Sequence, residues 1–306
     1  MLFRSDFESP DRFWINRTHS GGPLRFQAAS LLALRVTSAF SMGIDAADID
    51  RDGIMDFFVA DMLSRDHRRR NTQVAGLPPG MAQPGVFEDR PQFSRNTLFR
   101  GLGGGAFAEV GRMAGLAASE WSWTPLFLDV DLDGWEDLLV SNGHELDMMD
   151  IDVSNDAEKA KSARRMSPAE QLGLRRGFAR LNTPNMAYRN HGGLRFTDAS
   201  REWGFDIPNV SHGMAAADLD DDGDLDLVIN NLNAAPTLLR NNADAPRLGI
   251  RLDGKAPNTR GIGALVRVRG GPVPIQSQEF IAGGRYLSSD DPMRVFAAGK
   301  ATSLEV

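Results

Sequence analysis

The chain has 306 residues, 42% hydrophobic and 25% charged. That composition fits one large or two smaller globular domains and excludes a disordered chain. It contains no Cys, which excludes disulfides, thiol catalysis and Cys-based zinc sites. Acidic residues number 41 against 34 basic, a net charge of −7; without twelve Asp concentrated in three loops, only 29 acidic residues remain. The acidity is therefore local. The runs Arg68–Arg70, Arg164-Arg165 and Arg175-Arg176 are scattered and form no basic stripe of the kind nucleic acid requires.

In chain order, the first strand-like stretch is Phe13–Arg17, followed by a Gly21-Gly22 turn and Phe26. Ser41 then leads to the first acidic loop: Asp48, Asp50, Asp52, Gly53, Asp56. A strand, Phe57-Phe58-Val59, follows. An insert over about 62–95 carries Arg65–Arg70 and a Pro/Gly stretch at Leu77–Gly80. The pattern returns as Leu98-Phe99-Arg100, Gly103–Gly105, Phe107 and Ser122, and then a second loop, Asp129, Asp131, Asp133, Gly134, Asp137, leading into Leu138-Leu139-Val140. A second insert, about 143–184, includes Ser167-Pro168-Ala169-Glu170, a capping box with Pro at the first helical position. It predicts a helix running to about Leu181. The third copy reads Ala187–Asn190, Gly192-Gly193, Phe196 and Ser211, and then Asp218, Asp220, Asp222, Gly223, Asp226 and Leu227-Val228-Ile229.

The shared loop is D-x-D-x-D-G-x-x-D. Four Asp and a Gly at fixed offsets arise by chance on the order of once per 10⁵ starts, so three copies are a repeat. Gly at position 6 permits a sharp turn that brings the carboxylates at positions 1, 3, 5 and 9 together. Carboxylates so crowded repel one another unless a cation lies between them. Hard oxygen donors on a flexible loop favour Ca²⁺ over Mg²⁺, so three Ca²⁺ are expected, one per loop. The backbone carbonyl of position 7 (Ile54, Trp135, Asp224) is expected to complete each shell. An EF-hand is rejected, because position 12 is Val59, Val140 or Ile229 instead of Glu and strands follow the loops.

Each Phe precedes its loop by 22 residues and each Ser by seven. One unit thus reads strand, Gly turn, strand, connection, short strand, acidic loop, strand, which predicts an all-β chain of four-stranded antiparallel sheets packed like propeller blades. Loops that begin 81 and 89 residues apart exceed a common blade repeat, and the two inserts account for the excess.

These loops and strands resemble FG-GAP/VCBS repeats, the blades of integrin-α-type β-propellers. The tail Asn258–Arg269, continuing to Gly283–Ser288, looks like the start of an ASPIC/UnbV domain. In this order the two are similar to the CRTAC (cartilage acidic protein) family. The resemblance implies a partial propeller over 1–245 and a small β domain over 246–306. It further implies a Ca²⁺-stabilised, non-enzymatic adhesion or interaction module, outside the cell or in the periplasm, with a protein or glycan ligand. Three units where about seven are expected suggest a fragment or truncated product, and Met1-Leu-Phe-Arg4 does not open a signal peptide.

No H-x-x-x-H, P-loop, dinucleotide fingerprint or G-x-S-x-G is present. His191 and His212 read as structural. The polar cluster from Asn142 through His144, Asp147, Asp150 and Asp152 is the one further candidate metal or ligand site, the alternative being the acidic entry to an insert. A polysaccharide-binding or polysaccharide-degrading propeller is the rival expectation, and Trp121, Trp123 and Trp203 are its candidate sugar platforms, Trp121 and Trp123 being equally placed for the core.

Overall fold

The computed structural model describes residues 10–19, 21–73 and 90–306 and is all-β with a few short helices. The Leu77–Gly80 stretch and Met1–Arg4 lie outside the described residues. The strands that matter here are β1 (Trp14–Asn16), β2 (Phe26–Ala28), β3 (Ile44–Ala47), β4 (Asp56–Val59), β5 (Thr97–Gly101) and β6 (Phe107–Glu109). They continue with β7 (Ser122–Leu128), β8 (Asp137–Asn142), β9 (Met186–Asn190), β10 (Phe196–Asp198), β11 (Ser211–Ala217), β12 (Asp226–Asn231) and β13 (Thr237–Leu239).

Sheet 1 is β3-β4-β5-β6 and sheet 2 is β7-β8-β9-β10, both antiparallel throughout, while sheet 3 is β11-β12-β13. Each acidic loop is the turn between the first two strands of a sheet. The phase of the repeat differs from the predicted unit. The aromatic strand and the Phe strand belong to the sheet of the loop before them, and β1 and β2 pair only with each other. The inserts obscure this in the sequence, because they separate the second strand of a sheet from its third. The consequence is spatial: acidic loop and Gly turn share one end of sheets 1 and 2, and the inserts leave from the other.

Alternation along the strands stacks the sheets. Phe57, Val59 and Phe99 face Leu34 and Phe13, whereas Phe58 and Leu98 face Phe127, Leu138 and Val140 of sheet 2. On the far side of sheet 2, Leu126, Leu139 and Ala187 meet Met214, Leu227 and Ile229 of sheet 3. Strands covered on both faces need apolar side chains in both directions, which is why Phe57-Phe58-Val59 and Leu138-Leu139-Val140 do not alternate with polar residues. Each such side chain contributes about 1.5–3 kcal/mol by burial. Among the described residues the three sheets form a stack that does not close into a ring.

The repeated Ser has a structural use. Ser122 and Ser211 donate to Asn142 and Asn231 at 2.7 and 2.9 Å, each where the strand register slips. The equivalent of those Asn in sheet 1 is Asp61, which takes Ser38 instead, while Ser41 donates to Asp11 at 2.8 Å.

In the inserts, α1 (His67–Thr72) carries the Arg run, and α2 (Ile151–Ala163) and α3 (Pro168–Gly173) lie in the second. The capping box at Ser167 and Glu170 forms. Its helix stops earlier than expected, passing into a single 3₁₀ turn at Leu174–Gly177, because Gly173 and Gly177 weaken it.

Residues 246–306 pair internally, β14 (Arg247–Arg251) with β17 (Met293–Ala297) and β15 (Leu265–Arg269) with β16 (Ile275–Glu279). Their packing is shared: Met293, Val295 and Ala297 sit in the core between sheets 2 and 3. Arg285 is buried between Asp45 of sheet 1 and Asp290, the latter at 2.6 Å. No helix among the described residues is long and apolar enough to cross a membrane.

Candidate metal centres

The three loops have one backbone conformation. Position 6 is a left-handed Gly in each, with φ of 84° at Gly53, 97° at Gly134 and 93° at Gly223. Position 4 is left-handed too, at Arg51, Leu132 and Asp221. Two turns of that hand fold nine residues back on themselves, so that the carboxylate of position 1 accepts the N–H of the position 6 Gly at 3.1, 2.9 and 3.1 Å.

Position 9 ties the loop to its sheet. One oxygen of Asp56, Asp137 and Asp226 accepts the N–H of position 2, from Ile49, Val130 and Leu219, at 2.9–3.0 Å. The other accepts an N–H from the end of the third strand, from Gly101, Asn190 and Asn241, at 2.7–2.8 Å. Gly101 must be Gly for this, since a Cβ there would lie 2.7 Å from the Met55 carbonyl oxygen.

The carboxylates at positions 1, 3 and 9 converge. Asp48, Asp50 and Asp56 each offer an oxygen, all within 4.8 Å of one another, and so do Asp129, Asp131 and Asp137, and Asp218, Asp220 and Asp226. Position 5 stands outside each triad. One oxygen of Asp52, Asp133 and Asp222 accepts the N–H of position 7 (Ile54, Trp135, Asp224) at 2.9, 2.9 and 3.1 Å, which holds the position 7 peptide in the turn. The side chain of Asp224 is directed elsewhere, to Arg247 at 2.8 Å.

The electrostatics are those of a cation site. Burial pushes the Asp56 carboxyl up to about 7 and raises Asp48, with neighbouring carboxylates adding to both. It drives Asp129 and Asp137 well above the carboxylate range. In each triad one buried carboxylate oxygen has no hydrogen-bond partner: Asp50 Oδ1, Asp131 Oδ1 and Asp218 Oδ1. Unsatisfied buried acceptors are costly, and a cation held at each triad would satisfy the one it contains. All-carboxylate donors fit a hard divalent ion.

An Arg accompanies each triad that sequence reasoning gave no role. Arg100, Arg189 and Arg240, at the same place after the third strand's aromatic or apolar residue, reach position 3 at 2.5, 2.9 and 2.8 Å. The signal was present, since Arg100 and Arg189 follow an aromatic residue, but the inserts put Arg100 50 residues and Arg189 58 residues from their partners. The loops are also linked to one another. Asn190 and Asn241 donate to the carbonyls of Ile49 and Val130, position 2 of the preceding loop, at 3.0 Å. Arg51 donates to the Gly134 carbonyl at 2.7 Å and pairs with buried Glu136 at 3.6 Å.

The remaining candidates separate. Trp121 and Trp123 are buried and stack on His144, with His212 and Tyr286 against Trp123. This places His144 and His212 in an aromatic cluster rather than at the acidic triads. Trp203 is half-buried under the Arg189 guanidinium at 4.9 Å.

A family model described as ASPIC and UnbV matches residues 254–306. It covers β15, β16 and β17, so the C-terminal segment is similar to that family. No curated protein matches the chain.

Proposed function

We propose that this chain is a non-enzymatic calcium-binding repeat protein of the FG-GAP/VCBS kind, related to the CRTAC family. In this reading its sheets are the blades of a propeller that works outside the cell as an adhesion or interaction module. The observation that carries the reading is the same acidic triad at the same corner of three stacked sheets. Asp at positions 1, 3 and 9 holds the ion, with position 5 and the position 7 carbonyl available to it. Bound Ca²⁺ supplies charge neutralisation and a rigid hairpin. Sites built for structure suit the Ca²⁺ levels found outside cells.

The ion is structural in this reading, because position 9 serves the triad and the backbone of two strands together. An ion that binds only the folded state adds about 2.7 kcal/mol at a hundredfold excess over its Kd. Chelation should lower the melting temperature, and Ca²⁺ should restore it where Mg²⁺ does not. Asp220→Ala leaving stability untouched while abolishing a turnover would establish an enzyme instead.

The rival reading is a polysaccharide-binding or polysaccharide-degrading propeller, and one observation favours it: Trp203 lines a groove with Asp131 and Glu202. A glycan array with and without Ca²⁺ separates a protein ligand from a glycan one.

A further inference from the structure

Sheet 3 differs from its counterparts in having no fourth strand on β13 among the described residues. In sheets 1 and 2 that place is taken by β6 and β10. Each opens on a Phe in one register: Phe107 opposite Gly101, and Phe196 opposite Asn190. Both rings point inward. Phe107 meets Phe57 edge-on at 5.0 Å, and Phe196 packs on the core that holds Ala114, Leu116, Leu138 and Tyr188.

The register fixes the corresponding positions of sheet 3. Leu227 stands where Leu138 stands, Leu239 where Tyr188 stands, and Asn241 where Asn190 stands. Trp203-Gly204-Phe205 likewise repeats Ala114-Gly115-Leu116, with a left-handed Gly in both. Trp203, Phe205, Leu227, Leu239 and Asn241 surround a cavity of about 330 Å³. An apolar cavity of about 150 Å³ already admits a benzene ring. The cavity is therefore the seat that a fourth-strand Phe fills in the other two sheets.

The edge beside it is open. In sheet 2 the backbone of Ala187 serves the fourth strand, accepting the Ala199 N–H at 2.9 Å. Its equivalent in sheet 3 is Leu238, which is 66% exposed. Exposed edge strands accept an added strand, with main-chain bonds supplying affinity and a side-chain pocket supplying specificity.

We propose that β13 and this cavity form a docking site for an extended segment of a partner polypeptide. The segment adds antiparallel to β13 and seats one aromatic side chain opposite Asn241. The chemistry of the occupant is read from the strands filling the two equivalent places, Phe107-Ala-Glu109 and Phe196-Thr-Asp198. The cavity borders two of the triads, since Asp131 and Arg240 also line it, but the contacts named for the segment are main-chain and apolar ones and include no metal ligand.

The test is a labelled peptide of sequence Leu-Arg-Phe-Thr-Asp-Ala, copied from residues 194–199, titrated with the full chain. Saturable binding is expected, and replacing the peptide's Phe by Ala should weaken it at least tenfold. In the chain, Ala243→Trp at the cavity wall and Leu238→Pro on the open edge should each abolish it, with circular dichroism verifying the fold. The peptide's Phe→Ala control does not depend on either variant folding. Equal affinity for the Phe and Ala peptides would overturn the proposal, as would binding that survives both chain variants or no binding up to about a millimolar. Self-association of the chain that Ala243→Trp removes would assign the site to a second copy and overturn the partner reading.

Discussion

Positions 3 and 9 of one loop should respond differently to the same truncation, and sheet 2 is the place to see it. Asp137 is buried, and its two oxygens accept the N–H groups of Val130 and Asn190 at 2.9 and 2.8 Å. Asp137→Ala strands both donors in the interior. Each costs about 1–3 kcal/mol, so the loss should be about 2–6 kcal/mol even with chelator present. Asp131 is partly exposed and pairs with Arg189 at 2.9 Å. Asp131→Ala should cost at most about 1 kcal/mol in chelator, since exposed pairs contribute little. Its deficit should appear only when Ca²⁺ is added, as a missing share of the ion's stabilisation. Urea unfolding of the wild type and both variants, each in EDTA and in CaCl₂, measures all four quantities. Equal losses for the two variants in EDTA would refute the division of labour argued here.

Other expectations follow from the same geometry. Burial holds the Asp56 carboxyl at about 7, above its ordinary 3.8, so its contribution favours the folded ion-free protein at low pH and is lost as pH rises through about 7. Ca²⁺ must displace that proton, so affinity should climb over the same window, with proton release at pH near 6 seen by calorimetry in buffers of different ionisation enthalpy; binding without proton release would contradict this. Arg51→Ala leaves Glu136 buried without its cation and should cost about 3–5 kcal/mol in denaturant unfolding, more than a surface pair would. Gly134→Ala should destabilise more than Gly53→Ala in thermal melts. Both have φ near 90°, but a Cβ at Gly134 meets Pro272 and Val273 at 3.0 Å, whereas at Gly53 it meets open space.

The features legible in the sequence were those written locally. The acidic loops, the strands following them and the all-β class could be read because ligand spacing and apolar runs lie within a dozen residues. The C-terminal segment was legible from Asn258–Arg269 and Gly283–Ser288 for a similar reason, and a family model matches residues 254–306. The phase of the sheets was not legible, because a strand's partner across an insert leaves no local mark. Arg100 and Arg189 as partners of position 3, and the Asn190 and Asn241 ties between loops, were missed on the same account, being contacts between residues 50 to 141 positions apart. Arg240, much nearer its partner Asp220, follows Leu239 where the other units have an aromatic residue. Helix α2 escaped notice because it buries no residue and so carries no apolar stripe, its start set by the Asp150 cap alone. The early end of α3 lay in Gly173 and Gly177, which an apolar-periodic reading passes over.

The claim on which the account rests is that the triads of Asp48, Asp129 and Asp218 each take one calcium ion. Titration calorimetry of the full chain, stripped with chelator and then given Ca²⁺ or Mg²⁺, tests it directly. The expected result is about three Ca²⁺ per chain with Mg²⁺ far weaker, falling to two in Asp220→Ala. No heat with Ca²⁺, or equal binding of Mg²⁺, would contradict it.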